Sequence, residues 1–208
     1  MALRLNGQTT GYTELNAPDN GDSVVLTMPG TDGNAGEYLQ TNGSGTLSWA
    51  GVTIPTVAFD AYAVICDQKA GTSAGGTFTA GSHIQRDLNT ELFDPDGIVT
   101  IASNEFTVPA GNYLIVWKAP AFGVARHTSR LRDVTGSMTS VEGTTSYCHA
   151  SYGNQTDSWG WARVTPTASN TYQIRHRCET TNNGNGLGVD SSSASDSKFT
   201  VVWIFREA

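Results

Sequence analysis

The feature that most constrains this chain is its punctuation. Short apolar runs, most with the two-residue period of a pleated strand, are separated by Asn-Gly, Asp-Gly and Pro-containing turns. Tyr172 to Cys178 alternates cleanly, with Tyr172, Ile174, His176 and Cys178 on one side and Gln173, Arg175 and Arg177 on the other. No window of about 11 residues repeats apolar side chains at helical spacing. With 23 glycines and only 15% charged residues, the composition points the same way, to an all-β protein.

The strands are of two kinds. Some have one apolar face, as expected of a sheet with one wet side. Others, Phe59 to Cys66, Asn112 to Lys118 and Phe199 to Arg206, carry apolar residues on both faces. In the second, Tyr113, Ile115 and Trp117 oppose Leu114 and Val116; in the third, Phe199, Val201, Trp203 and Phe205 oppose Val202 and Ile204. A strand apolar on both sides needs a cover on its outer face, and a second copy of the chain is the economical one. Tyr113, Trp117, His176, Phe199, Val201, Trp203 and Phe205 are therefore expected in the core or at a subunit contact. The final run is expected in the middle of a sheet. A two-sheet antiparallel jelly roll assembled as a homotrimer satisfies these requirements.

Residues 1–50 follow a different grammar. Pieces such as Leu3-Arg4-Leu5, Tyr12 to Leu15, Tyr38-Leu39 and Leu47-Ser48-Trp49 sit between turn clusters and are too few to bury a core alone. They are expected to form a β-rich N-terminal stem or anchor, intertwined between subunits. Residues 51–56, with Pro55, read as a hinge, and residues 57–208 as the jelly-roll head.

The formal net charge of −7 argues against a nucleic-acid-binding role. No signal peptide or membrane-spanning run is legible, so synthesis in a cytoplasm without membrane insertion is expected. Cys66, Cys148 and Cys178 are odd in number and lack metal spacing, which suggests free thiols. His83, His127, His149 and His176 form no local zinc motif. Asp94-x-Asp96-Gly97 begins like a calcium loop, but the fifth position is Ile98, and an ordinary acidic turn is the preferred reading. No metal or cofactor is expected. Nor is catalysis: there is no nucleophile elbow, phosphate-binding glycine loop or zinc-protease motif.

Two loop regions are candidates for an exposed contact surface. One holds Tyr147, Tyr152, Trp159 and Trp161 among small polar residues; the other is Asn/Gly-rich, with Asn182, Asn183 and Asn185. Core packing of the tryptophans is the alternative. Arg126, Arg130 and Arg132 share one strand face, and Arg175 and Arg177 another. If neighbours, these strands make a basic strip, either an anionic-ligand site or a partner for acidic residues across a subunit contact.

Three stretches carry a resemblance. They are Arg86 to Val99 continued by Asn104-Glu105-Phe106-Thr107-Val108-Pro109-Ala110-Gly111-Asn112-Tyr113; Ala119-Pro120-Ala121 followed by His127 to Leu131; and Gln173 to Thr180 with Gly186 to Val189. Together they resemble a domain of phage tail-fibre and virion proteins. That domain is similar to the trimeric jelly roll of the tumour-necrosis-factor and complement globular-head superfamily. Gly11 to Pro18, Leu26 to Pro29 and Gly36 to Trp49 resemble the connectors of marine phage fibres. The resemblance implies a virion structural protein, a short trimeric fibre or spike. Its residues 1–50 would attach to other virion proteins and its head would contact a host cell-surface glycan or protein. A capsid decoration or tail-assembly protein that binds only other virion proteins is the alternative.

Overall fold

A computed structural model describes the backbone of residues 3–6 and 12–15, and residues 25–52, 58–193 and 195–208 in full. No helix occurs among the described residues. The chain divides into two compact units, Met1–Pro55 and Thr56–Ala208. Most of the expected hinge, residues 53–56, lies outside the described residues.

The first unit holds two local hairpins. Strand β1 (Leu3–Asn6) pairs antiparallel with β2 (Tyr12–Leu15), and β3 (Glu37–Thr41) with β4 (Leu47–Gly51). The second hairpin is joined to an upstream segment by a bridge between Thr27 and Thr46. Trp49 packs against Gly33, whose backbone has φ +72°, and its Nε1–H donates to Thr31 O at 2.7 Å. Much of the apolar surface here stays open, including Val25, Leu26 and Met28.

The second unit is a sandwich of two antiparallel sheets. The strands are β5 (Phe59–Lys69), β6 (Ile84–Gln85), β7 (Thr90–Phe93), β8 (Thr100–Ala102), β9 (Glu105–Val108), β10 (Tyr113–Phe122), β11 (Ala125–Asp133), β12 (Val141–Cys148), β13 (Gln155–Val164), β14 (Asn170–Cys178) and β15 (Ser197–Glu207). One sheet runs β13-β10-β15-β5-β7; the other runs β12-β11-β14-β9-β8, with β6 also on β14. From β9 onward the chain crosses repeatedly between sheets, so that apart from the consecutive pairs β8–β9 and β11–β12 the neighbours in each sheet are not consecutive in sequence. This is jelly-roll topology. Strand β15 lies at the centre of its sheet, paired with both β10 and β5.

Alternation decides what is inside. Tyr113, Ile115, Trp117, Ala119 and Ala121 of β10 point inward and are fully buried. Tyr172, Ile174, His176 and Cys178 do the same from β14. Tyr113, Ile115, Trp117, Ala119, Tyr172 and Ile174 form the main core with Val202, Ile204, Phe106, Leu131 and others, and a smaller cluster of Phe78, Ala121, Cys148, Cys178 and Leu187 lies beyond it. All three cysteines are free and buried, and burial pushes the Cys178 thiol up to about 11. The Asp94-x-Asp96-Gly97 segment is a turn: the Asp94 carboxylate accepts the Ile98 and Val99 N–H groups, each at 2.9 Å, and the next strand starts at Thr100.

A polar seam crosses the interior. Arg86 is fully buried; its Nε donates to Thr200 Oγ1 at 2.7 Å, and its two terminal nitrogens donate to Pro120 O at 3.2 Å and Leu187 O at 2.8 Å. Beside it His127 Nδ1 lies 2.9 Å from His176 Nε2, and His127 Nε2 lies 2.8 Å from Thr156 Oγ1. Trp117 Nε1 donates to Ser129 Oγ at 2.9 Å, and Ser129 N–H to Ser158 Oγ at 2.8 Å. Opposite Trp117 in the ladder stands Gly160, where any Cβ would run into the indole.

Burial, and secondarily the charge of Arg86, pushes His127 down from 6.5 to about 4, and His176 well below the usual imidazole range. Both rings are thus neutral in the folded protein at pH values where the unfolded chain binds protons. Stability is unaffected above pH 6.5 and is lost as pH falls from there toward 4, with His127 alone costing about 3 kcal/mol by the lower limit. We expect a thermal midpoint that is flat above neutrality and drops below pH 6; a profile level down to pH 4.5 would contradict the neutral pair. We also expect Gly160→Ala to destabilise by about 1–3 kcal/mol in chemical denaturation, through overpacking on Trp117.

Candidate assembly face

The outward face of the five-stranded sheet is aromatic from edge to edge. Ladder register sets its rows. Trp161 lies opposite Val116, Val116 opposite Trp203, Trp203 opposite Val64, and Val64 opposite Phe93. One row on, Leu114, Phe205 and Tyr62 are in register. On the other side Trp159, Lys118, Val201 and Cys66 are in register. With strands about 4.8 Å apart, a row across all of them spans roughly 19 Å.

The rings organise one another. Trp159 stacks on Trp203 with centroids 5.8 Å apart and planes 9° off parallel. Tyr62 stacks on Phe93 at 4.6 Å, and Phe205 contacts Tyr62 at 6.4 Å and Phe59 at 5.2 Å. Trp161 is 63% exposed, and Trp159, Tyr62 and Phe93 are each between 41% and 45% exposed. Trp203 and Phe205, on the central strand, are half-buried by these neighbours. Ion pairs border one end: Arg163 donates to both Glu207 oxygens at 2.7 and 2.6 Å, and Arg206 to both Asp60 oxygens at 2.8 and 3.2 Å. Each arginine holds its carboxylate partner below the usual range.

The residues expected in the core or at a subunit contact separate into two places. Tyr113, Trp117 and His176 lie inside the sandwich, and Phe199 is buried against Gly188. Trp203 and Phe205 belong to the outward face, half-buried, and Val201 shares their side of the strand but is buried. The proposed ligand-contact residues also divide. Trp159 and Trp161 stand on the aromatic face. Tyr147 and Tyr152 gather instead around His149, at 6.3 and 4.4 Å, at the β12–β13 loop. Asn182 is structural: its Nδ2 donates to Phe122 O at 2.9 Å, and its backbone pairs with Phe78. Asn183 is exposed and Asn185 half-buried on the same loop. Both loops meet the β10–β11 turn, where Gly123 N–H donates to Asn154 O at 3.3 Å. Among the described residues, no group of three or more His, Cys, Asp or Glu side chains is arranged to hold a metal.

No family model and no curated protein matches the chain. Solved structures do. They include the globular domain of zebrafish complement 1qA protein, 14% identical over 70% of this chain and 94% of that one, with a TM-score of 0.44. Murine APRIL is 7% identical over 70% of this chain and 98% of that one, with a TM-score of 0.45. The PRD1 vertex protein P5 is 10% identical over 73% of this chain and all (100%) of that one, with a TM-score of 0.41.

If the face is an interaction surface and not part of the fold's own core, its outermost ring is dispensable to the sandwich. Trp161→Ser is expected to change unfolding free energy of a dilute, unassociated sample by no more than about 0.5 kcal/mol. A loss comparable to a core truncation, about 3 kcal/mol or more, would assign the ring to the core instead.

Proposed function

We propose that this protein is a self-associating structural subunit of a phage particle, a short trimeric fibre or spike without catalytic activity. The observation that carries the self-association is the aromatic face of the five-stranded sheet. Soluble monomers rarely present a contiguous apolar surface of this kind, and interfaces between identical subunits are enriched in aromatic residues. A second copy is the natural occupant because the face is graded. Its most exposed ring, Trp161, is on edge strand β13, whereas Trp203 and Phe205 form a shallower floor on central strand β15. An edge that docks on a neighbour's centre makes a heterologous contact, and a rotation of about 120° per contact closes it into a ring of three copies.

The phage assignment rests on the sequence resemblance of the head and of the Gly36 to Trp49 segment to fibre proteins. In this reading residues 1–50 attach the subunit to other virion proteins, supported by apolar residues of that unit that remain open, such as Val25 and Met28. The head carries the host contact, where three copies strengthen weak binding by multivalency.

The test is the solution mass of the purified chain by light scattering on a sizing column. A trimer is expected, and Trp161→Glu and Trp203→Glu are each expected to give folded monomers. A monomeric wild-type chain would sink the reading. Trimers that survive both substitutions would move the contact to another surface.

A further inference from the structure

The outward face of the other sheet is of opposite character. Pairing of β11 with β14 sets Arg130 directly opposite Arg175, Thr128 opposite Arg177, and Arg132 opposite Gln173. Residues two apart on a strand share a face at about 6.8 Å, so four guanidinium groups follow a short zigzag. Like charges placed opposite one another destabilise a sheet, and burial together with Arg132 and Arg130 pushes Arg175 below the usual guanidinium range.

The nearby carboxylates are few and largely engaged. Glu142 lies 3.7 Å from Arg130 and 3.9 Å from His83. Glu105 accepts from Gln173 Nε2 at 2.8 Å, and Glu179 accepts from Arg126 at 3.0 Å through both oxygens. Arg175 donates one terminal nitrogen to His83 O, and Arg177 Nε donates to Gly81 O at 2.7 Å. Arg130 Nε and Arg175 Nε are buried and find no hydrogen-bond partner among the described residues. Four guanidinium groups gathered on one face of a chain of net charge −7, with few free carboxylates beside them, favour an anion at that face.

The strip opens into a cleft of about 370 Å³ lined by Arg126, Thr128, Thr145, Arg177 and Glu179. Tyr147, half-exposed, stands in register with Arg126 at its margin. The cleft is of small-ligand size and offers hydroxyls, an aromatic ring and guanidinium groups together. The acidic balance of the chain disfavours a long polyanion such as nucleic acid. We propose that this strip and cleft form a binding site for an acidic saccharide, its sulfate or carboxylate held by Arg130, Arg175 and Arg177 and its ring at Thr128, Thr145 and Tyr147. The site deepens the host-contact part of the functional reading and rests on it. It lies on the sheet that the aromatic contact leaves uncovered.

The experiment is calorimetric titration of the full chain, at fixed ionic strength, with inorganic sulfate, a short sulfated oligosaccharide and its desulfated counterpart. The sulfated sugar should bind at least tenfold more tightly than either of the others. Arg130→Gln and Arg175→Gln should each weaken it at least tenfold, as should Arg177→Gln at an exposed position, where the fold loses only the Nε bond to Gly81 O. Lys198→Gln, on the opposite sheet, should not. Equal binding of the sulfated and desulfated sugars, or wild-type affinity in the arginine variants, would overturn the proposal. Inorganic sulfate as tight as the sulfated sugar would overturn the saccharide in favour of a small-anion site. Light scattering on the same samples separates the two readings: lost binding in an intact trimer refutes the site alone, and a monomer that still binds refutes the assembly alone.

Discussion

The sandwich is tied together by a buried charge. Arg86 lies between the sheets with no carboxylate in contact among the described residues, and its hydrogen bonds reach β10 through Pro120, β15 through Thr200 and the 182–188 loop through Leu187. Burial lowers its pKa to about 10, partly offset by Asp67 and Asp87, so it stays protonated at neutral pH. Burial, and secondarily the charge of Arg86, keeps the adjacent His127–His176 pair neutral. The loops held by Leu187 and Asn182, and the β10–β11 turn under them, inherit their positions from this seam.

With the interior fixed, the two outward faces are free to differ. The five-stranded sheet turns Trp, Phe, Tyr and Val rows outward; the six-stranded sheet turns arginines outward. Both sets come from strict alternation on strands whose other face is core. A single sandwich thereby offers one apolar and one cationic outward surface.

Much of this was legible in the residues. The period-two pattern of Tyr172 to Cys178 gave the strand and its buried face, and the two-faced runs gave β5, β10 and β15 as strands needing an outer cover. The basic strip was legible only conditionally, because nothing local says that β11 and β14 are neighbours. Trp159 and Trp161 could be read as contact-loop or core residues but not as part of an outward sheet face, because their partners, Trp203 and Val116, lie tens of residues away in sequence. Arg86 gave no signal, since a single arginine between Gln85 and Asp87 reads as surface. Its burial depends on acceptors supplied by segments up to Thr200.

By itself the sequence determined strand content, the turns and the division of each strand into two faces, because these follow from side-chain alternation and backbone preferences over a few residues. Tertiary structure decided which strands adjoin. It therefore decided that isolated aromatics become continuous rows, that Arg130 meets Arg175, and that Arg86 is enclosed. Register between distant strands fixes those outcomes, and it is set by the packing of the whole core, which no local stretch of sequence contains.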